Sequence, residues 1–248
     1  MCFDLDSQPP IPEGGRDVSG SDITLTADDG NEFMAYEVSG AEPSAAAVVV
    51  LPDVRGLFDF YKVLALRFAQ AGHDSIAIDY FGRTEGMGER PNDWDFRPHV
   101  DATTLAGIKA DTAAAVAKLR EADPERRIFT VGFCFGGSNS WHQAASGHGL
   151  AGAVGFYGRP RRDGDEVDVM DRIDDIACPI LALMGGADPG IPQNVVDEFE
   201  AALNAAGKPN EVITYAGAPH SFFDRKYADF GDSSLDAWRR ILGFIDAA

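Results

Sequence analysis

The strongest constraint on the fold is a repeated change in hydrophobic period along the chain. Ala46 to Leu51 (AAVVVL), Ser75 to Asp79, Ile128 to Gly132, Ala153 to Tyr157 and Ile180 to Met184 are brief, continuous apolar runs. A strand that is apolar at every position is covered on both faces, the situation of a parallel sheet between helices. Between and after these runs, Asp59 to Ala71, Leu105 to Ala122, Asn194 to Ala206 and Leu235 to Ile245 have helical period. In the first of them Leu64, Phe68 and Ala71 share a face. Strands alternating with helices need right-handed crossovers and predict a mostly parallel, doubly wound α/β sheet flanked by helices. The beginning differs: Ile23 to Ala27 and Glu32 to Val38 alternate around Asp28-Asp29-Gly30, which predicts an antiparallel hairpin.

At about 100 to 200 residues per domain, a chain of 248 residues is read as one domain over 21–248. Residues 1–20, rich in Pro and Gly and without period, are expected to form an extended arm. Two later stretches also lack period: Phe81 to Asp101, carrying Arg83, Trp94, Arg97 and His99, and the highly charged Arg159 to Asp175. Loops of that length often cover a site. The net charge of −19 sets up a field that repels phosphate backbones and anionic membranes, so neither nucleic acid nor membrane is an expected partner. No apolar run approaches the ~20 residues of a membrane span, and the start lacks the basic-then-apolar pattern of a signal peptide. The expectation is a soluble, cytoplasmic protein. Its three cysteines, Cys2, Cys134 and Cys178, are far apart and outside any CxxC pair, which argues against a disulfide framework or zinc site. No phosphate-cradling glycine pattern is present either, and no metal or organic cofactor is expected.

The segment IFTVGFCFGGS, Ile128 to Ser138, carries the chemical signal. An apolar strand runs into Gly132-Phe133-Cys134-Phe135-Gly136-Gly137 and then into a helical segment, the pattern G-x-C-x-G-G. A nucleophile exposed on a sharp strand-to-helix turn takes a strained backbone conformation, so the residues two before and two after it must be small. The helix N-terminus beside the sulfur favours thiolate over thiol. The competing reading is that Cys134 is simply a small buried apolar residue. Asp188 follows the run Ile180 to Met184, where parallel sheets place functional groups, and His220 follows the strand-like Glu211 to Tyr215. Taken singly, Asp188 is also a natural turn residue or helix cap and His220 a natural loop histidine. Together with an upstream elbow cysteine they stand in the order nucleophile, acid, histidine, which is the order of α/β-hydrolase triads. His73, His99, His142 and His148 follow no late strand.

The runs VGFCFGGS, LMGGADPGIP and GAPHSFFDR resemble the dienelactone hydrolase family of α/β-hydrolases from about Ile23 onward. The resemblance implies an α/β-hydrolase fold, a Cys134-Asp188-His220 triad, and cleavage of a small ester or lactone through a covalent thioester. It implies an oxyanion hole from the backbone N–H groups of Val54 and Phe135. The family places a glutamate that holds the resting thiol where this chain has Asp53, one methylene shorter. Asp53 is therefore either a contact of the sulfur or a loop-capping residue. The resemblance further implies that Arg83 and Arg225 bind a substrate carboxylate, although Asp224 intervenes and sets Arg225 one residue beyond the family spacing. Trp94 and Tyr157 are candidates to line the pocket. Two alternatives remain: a general carboxylesterase or thioesterase with the same triad, and a non-catalytic protein that binds or senses oxidants through a reactive thiol. The oligomeric state and the natural substrate are not readable from the chain.

Overall fold

The computed structural model describes residues 7–91, 93–161 and 167–248. An eight-stranded sheet runs through it in the order β1-β2-β4-β3-β5-β6-β7-β8. The strands are β1 (Val18–Thr26), β2 (Glu32–Gly40), β3 (Ala46–Leu51), β4 (Asp74–Ile78), β5 (Arg127–Phe133), β6 (Gly152–Phe156), β7 (Ile180–Gly185) and β8 (Asn210–Tyr215). Strand β2 pairs antiparallel with β1 and β4, and every other pair is parallel. The hairpin thus forms one edge of an otherwise parallel sheet, as the change of period requires. Its first strand starts earlier than the apolar alternation indicates. Val18, Ser19 and Gly20, expected in the arm, pair with Gly40, Ser39 and Val38. Backbone pairing at an exposed edge needs no buried side chains, so those residues carry no hydrophobic signal.

The continuous apolar strands are buried on both faces, and all six residues of β3 are buried. On one face Val48 and Val50 join Phe60, Leu64 and Phe68 of α1 (Asp59–Gln70) and Trp238 and Ile241 of α7 (Gly231–Ala247). On the other, Ala47, Val49 and Leu51 meet Ile108, Ala115 and Leu119 of α4 (Leu105–Arg120). Helix α4 begins where Thr104 Oγ1 accepts a 3.1 Å hydrogen bond from the Gly107 N–H, satisfying one of the free amides of its first turn. The helix α5 (Phe135–Ala144) follows β5, and α6 (Gln193–Ala205) links β7 to β8. The stretch Phe81 to Asp101 is not wholly irregular, since it holds two short helices, α2 (Gly82–Glu85) and α3 (Arg97–Ala102). Elements of one or two turns give too little periodicity to be read in advance. Because β3 and β5 to β8 are parallel, the loops that follow them all open on the same edge of the sheet.

Candidate active site

Cys134 stands between β5 and α5 with φ 55° and ψ −112°, in the left-handed half of backbone space that a side-chain-bearing residue rarely occupies. The neighbouring glycines make the turn sterically possible. A Cβ on Gly132 would lie 1.9 Å from the Gly136 carbonyl oxygen, and one on Gly136 would lie 2.1 Å from that of Leu51. The second contact presses the elbow against the end of β3, and so brings the Pro52-Asp53-Val54 loop beside the sulfur. Cys134 remains partly exposed.

His220 and Asp188 meet from the loops after β8 and β7. His220 Nδ1 and Asp188 Oδ2 are 2.5 Å apart, and the Gly190 N–H donates to the other carboxylate oxygen at 2.8 Å. That leaves Nε2 of His220 for the sulfur. Burial opposes a charge on the ring, but the Asp188 carboxylate and the Cys134 sulfur outweigh it and raise the His220 pKa to about 10. Burial likewise disfavours ionised Asp188, and the His220 contact more than offsets it, holding the carboxyl below its ordinary value. Tyr157 packs beside the histidine with ring centroids 5.0 Å apart. It is fully buried with φ 35°, so it supports the ring from behind rather than lining an open pocket. Neither the Val54 nor the Phe135 amide donates a hydrogen bond to another described residue. The amide of Phe135 is the first of α5, where intrahelical acceptors are lacking.

The arginines and Asp53 are arranged differently from the expectation. Asp53 is fully buried, and its oxygens are taken by Arg55 Nε at 3.0 and 3.1 Å, the Arg55 N–H at 2.9 Å and Arg225 Nε at 3.1 Å, with Arg225 Nη2 a further donor. Burial raises the cost of its charge, yet the two guanidiniums prevail and keep its pKa low. Arg225 is therefore committed to a protein carboxylate, and Asp53 is occupied by cations rather than by the thiol. Arg83 also departs from its expected place. It donates to Asp111 at 2.8 Å and to Asp29 at 2.7 Å, joining α2 to α4 and to the hairpin turn. Two carboxylates saturate its fork, which leaves no donor pair for a substrate. Trp94 lies against His99 at 4.8 Å and Phe81 at 5.4 Å, with the Arg90 guanidinium 4.8 Å from its ring, inside the aromatic packing of the inserted loop.

Two site residues escaped the sequence reading. Arg55 and Asp224 are joined at 2.8 Å, and Tyr61 and Tyr157 donate their hydroxyls to the same buried carboxylate at 2.9 and 2.5 Å. Arg55 had a visible signal, its place in the oxyanion loop two positions from Asp53. No group of His, Cys, Asp and Glu that could hold a metal ion is present among the described residues.

A mostly parallel sheet with an antiparallel hairpin at one edge, a sharp strand-to-helix turn at Cys134 after β5, and Asp188 and His220 on later loops are the architecture of an α/β-hydrolase. Residues 33–248 match the model of the dienelactone hydrolase family. The chain belongs to that family, and is accordingly a hydrolase of the ester- and lactone-cleaving kind. Among curated relatives, the carboxymethylenebutenolidase of Rhodococcus opacus is 27% identical over 259 aligned positions, covering 99% of this chain and 96% of the relative. A protein of Escherichia coli strain K12 named "Putative carboxymethylenebutenolidase" is 30% identical over 237, covering 89% and 84%. The solved structure of a "Putative Dienelactone Hydrolase" from Klebsiella pneumoniae superposes with a TM-score of 0.83 at 26% identity, over 94% of this chain and all of the other.

Proposed function

We propose that this protein hydrolyses a small carboxylic ester or lactone through a thioester on Cys134. The observation that carries the reading is the 2.5 Å contact of His220 with Asp188, combined with a histidine that the Cys134 sulfur helps to keep protonated. His220 takes the thiol proton as general base. The thiolate then adds to the acyl carbon, and the carbonyl electron pair moves to oxygen, which the Val54 and Phe135 amides receive. As the tetrahedral adduct collapses, the C–O bond to the leaving group breaks and Nε2 of His220 returns its proton to the departing alkoxide. Water next gives a proton to His220 and adds to the thioester carbon, and loss of the sulfur from that adduct releases the carboxylic acid. Asp188 fixes the imidazole tautomer and balances its positive charge throughout. No step calls on a cofactor.

The substrate class follows from the cations. A carboxymethylenebutenolidase-type substrate bears a carboxylate, for which Arg83 and Arg225 were the expected partners. Both are already paired with protein carboxylates, against a chain whose net charge is −19. This favours the second reading, a carboxylesterase or thioesterase that prefers uncharged acyl groups. Rates on a panel of carboxylate-bearing lactones and neutral aryl esters decide between them. Higher kcat/KM on the neutral esters supports the second reading, and the reverse order supports the first. Loss of turnover on replacing Cys134 by Ala tests both. Reversible oxidation of Cys134 without turnover of any activated ester would instead make it a thiol sensor. Among the described residues no helix is long and apolar enough to cross a membrane.

A further inference from the structure

Beneath the proposed triad lies a set of paired charges that the hydrolytic steps do not use. Asp53 and Asp224 are both fully buried, and Arg55 bridges them, with Nε on Asp53 and Nη2 on Asp224. Arg225 binds Asp53 and lies 3.8 Å from Asp224, so two carboxylates face two guanidiniums. The remaining face of Arg55 rests on the ring of Phe58 at 4.8 Å, and Tyr61 and Tyr157 complete the shell of Asp224. These groups come from the loop after β3, from α1, from the end of β6 and from the loop after β8.

We propose that Asp53, Arg55, Asp224 and Arg225 act as positioning residues, a clamp of paired charges that holds the oxyanion amide of Val54 in register with His220. The inference rests on the hydrolytic reading above. Val54 sits between Asp53 and Arg55, and Asp224 lies on the same turn as His220, where the Arg225 N–H donates to the Ser221 carbonyl at 3.1 Å. The clamp thus ties together the two segments whose separation sets the distance between the oxyanion and the proton donor. Stability alone does not account for it, because replacing a buried ion network by packed apolar side chains is often neutral or favourable. Geometry does, because a misplacement of about 1 Å at a reacting centre can cost about 100-fold in rate.

The test compares Asp224→Asn, Arg55→Gln, their double variant and Tyr61→Phe, using a neutral aryl ester and a trifluoromethyl ketone that mimics the tetrahedral adduct. Asp224→Asn and Arg55→Gln are each expected to lower kcat about 10- to 100-fold with KM within about twofold. Ketone affinity should fall in parallel and product affinity should not. The double variant should resemble the worse single variant rather than the product of the two. Should the charge variants fail to fold, Tyr61→Phe removes one hydroxyl from Asp224 at nearly constant volume and is expected to lower kcat and ketone affinity together by about threefold. A Cys134-dependent enzyme whose kcat and ketone affinity ignore Tyr61→Phe and every folded charge variant would overturn the clamp and leave the hydrolytic reading intact. Turnover that survives Cys134→Ala would overturn both.

Discussion

Two cysteines at opposite ends of the sheet show how differently one side chain can be surrounded. Cys134 follows the C-terminal end of β5, partly exposed, at a helix N-terminus and beside a histidine whose pKa is raised. Cys178 precedes the N-terminal end of β7, where it is buried in the main core among apolar side chains. Burial alone pushes its thiol up to about 12, so that only about one molecule in 10⁵ carries a thiolate there at pH 7. The side chains are identical; one is the nucleophile proposed above and the other is packed as a small hydrophobe.

The contrast is broken most completely at the nucleophile itself. Cys134→Ala is expected to lower ester turnover by about four to six powers of ten, whereas Cys178→Ala should keep it within about twofold, as initial rates with p-nitrophenyl acetate will show. Next in size is the partner that only Cys134 has. With His220→Asn, kcat should fall by about 10³-fold or more. Iodoacetamide labelling followed by peptide mass spectrometry should then find Cys134 nearly as slow as Cys178. If Cys134 retains fast labelling, the histidine is not what activates it.

Asp188→Asn sharpens the comparison through pH. In the proposed mechanism the His220 proton must be present when the leaving group departs, so kcat/KM should fall on the alkaline side near the ring's pKa of about 10. Asp188 raises that pKa, so its replacement should move the alkaline limb to lower pH and reduce kcat by about 10²- to 10⁴-fold. An unmoved limb would mean that another group sets it. The elbow responds in stability rather than rate: Gly132→Ala, whose methyl would overlap the Gly136 carbonyl, should cost about 3 kcal/mol in urea unfolding. The smallest effect belongs to the quiet cysteine, where Cys178→Ala should cost about 1 kcal/mol, a fall in Tm of about 2 to 4 °C by calorimetry.

The parts legible in the sequence were those written locally. Continuous apolar runs marked the buried parallel strands, and the glycines around Cys134 marked the turn, because each signal spans only a few consecutive residues. The order of Cys134, Asp188 and His220 after successive strands was likewise readable along the chain. Ion pairing was not. Asp53 finds Arg225 across 172 positions and Arg55 finds Asp224 across 169, and no period or spacing records such a meeting. Arg83 was misplaced for the same reason, since its partners Asp29 and Asp111 become neighbours only when the hairpin and α4 pack together. A resemblance can say that an arginine stands at a given position, but its counter-ion depends on every other segment that reaches the same spot.

The close approach of Gly132 to Gly136, and of Gly136 to the end of β3, means that the unusual backbone at position 134 is imposed by main chain on either side of it. The sulfur contributes nothing to that shape. On the proposed mechanism, exchanging it for oxygen changes the reagent without redrawing its mount, so evolution or engineering can vary the attacking atom in one step, while the glycines that make the mount possible have no substitute.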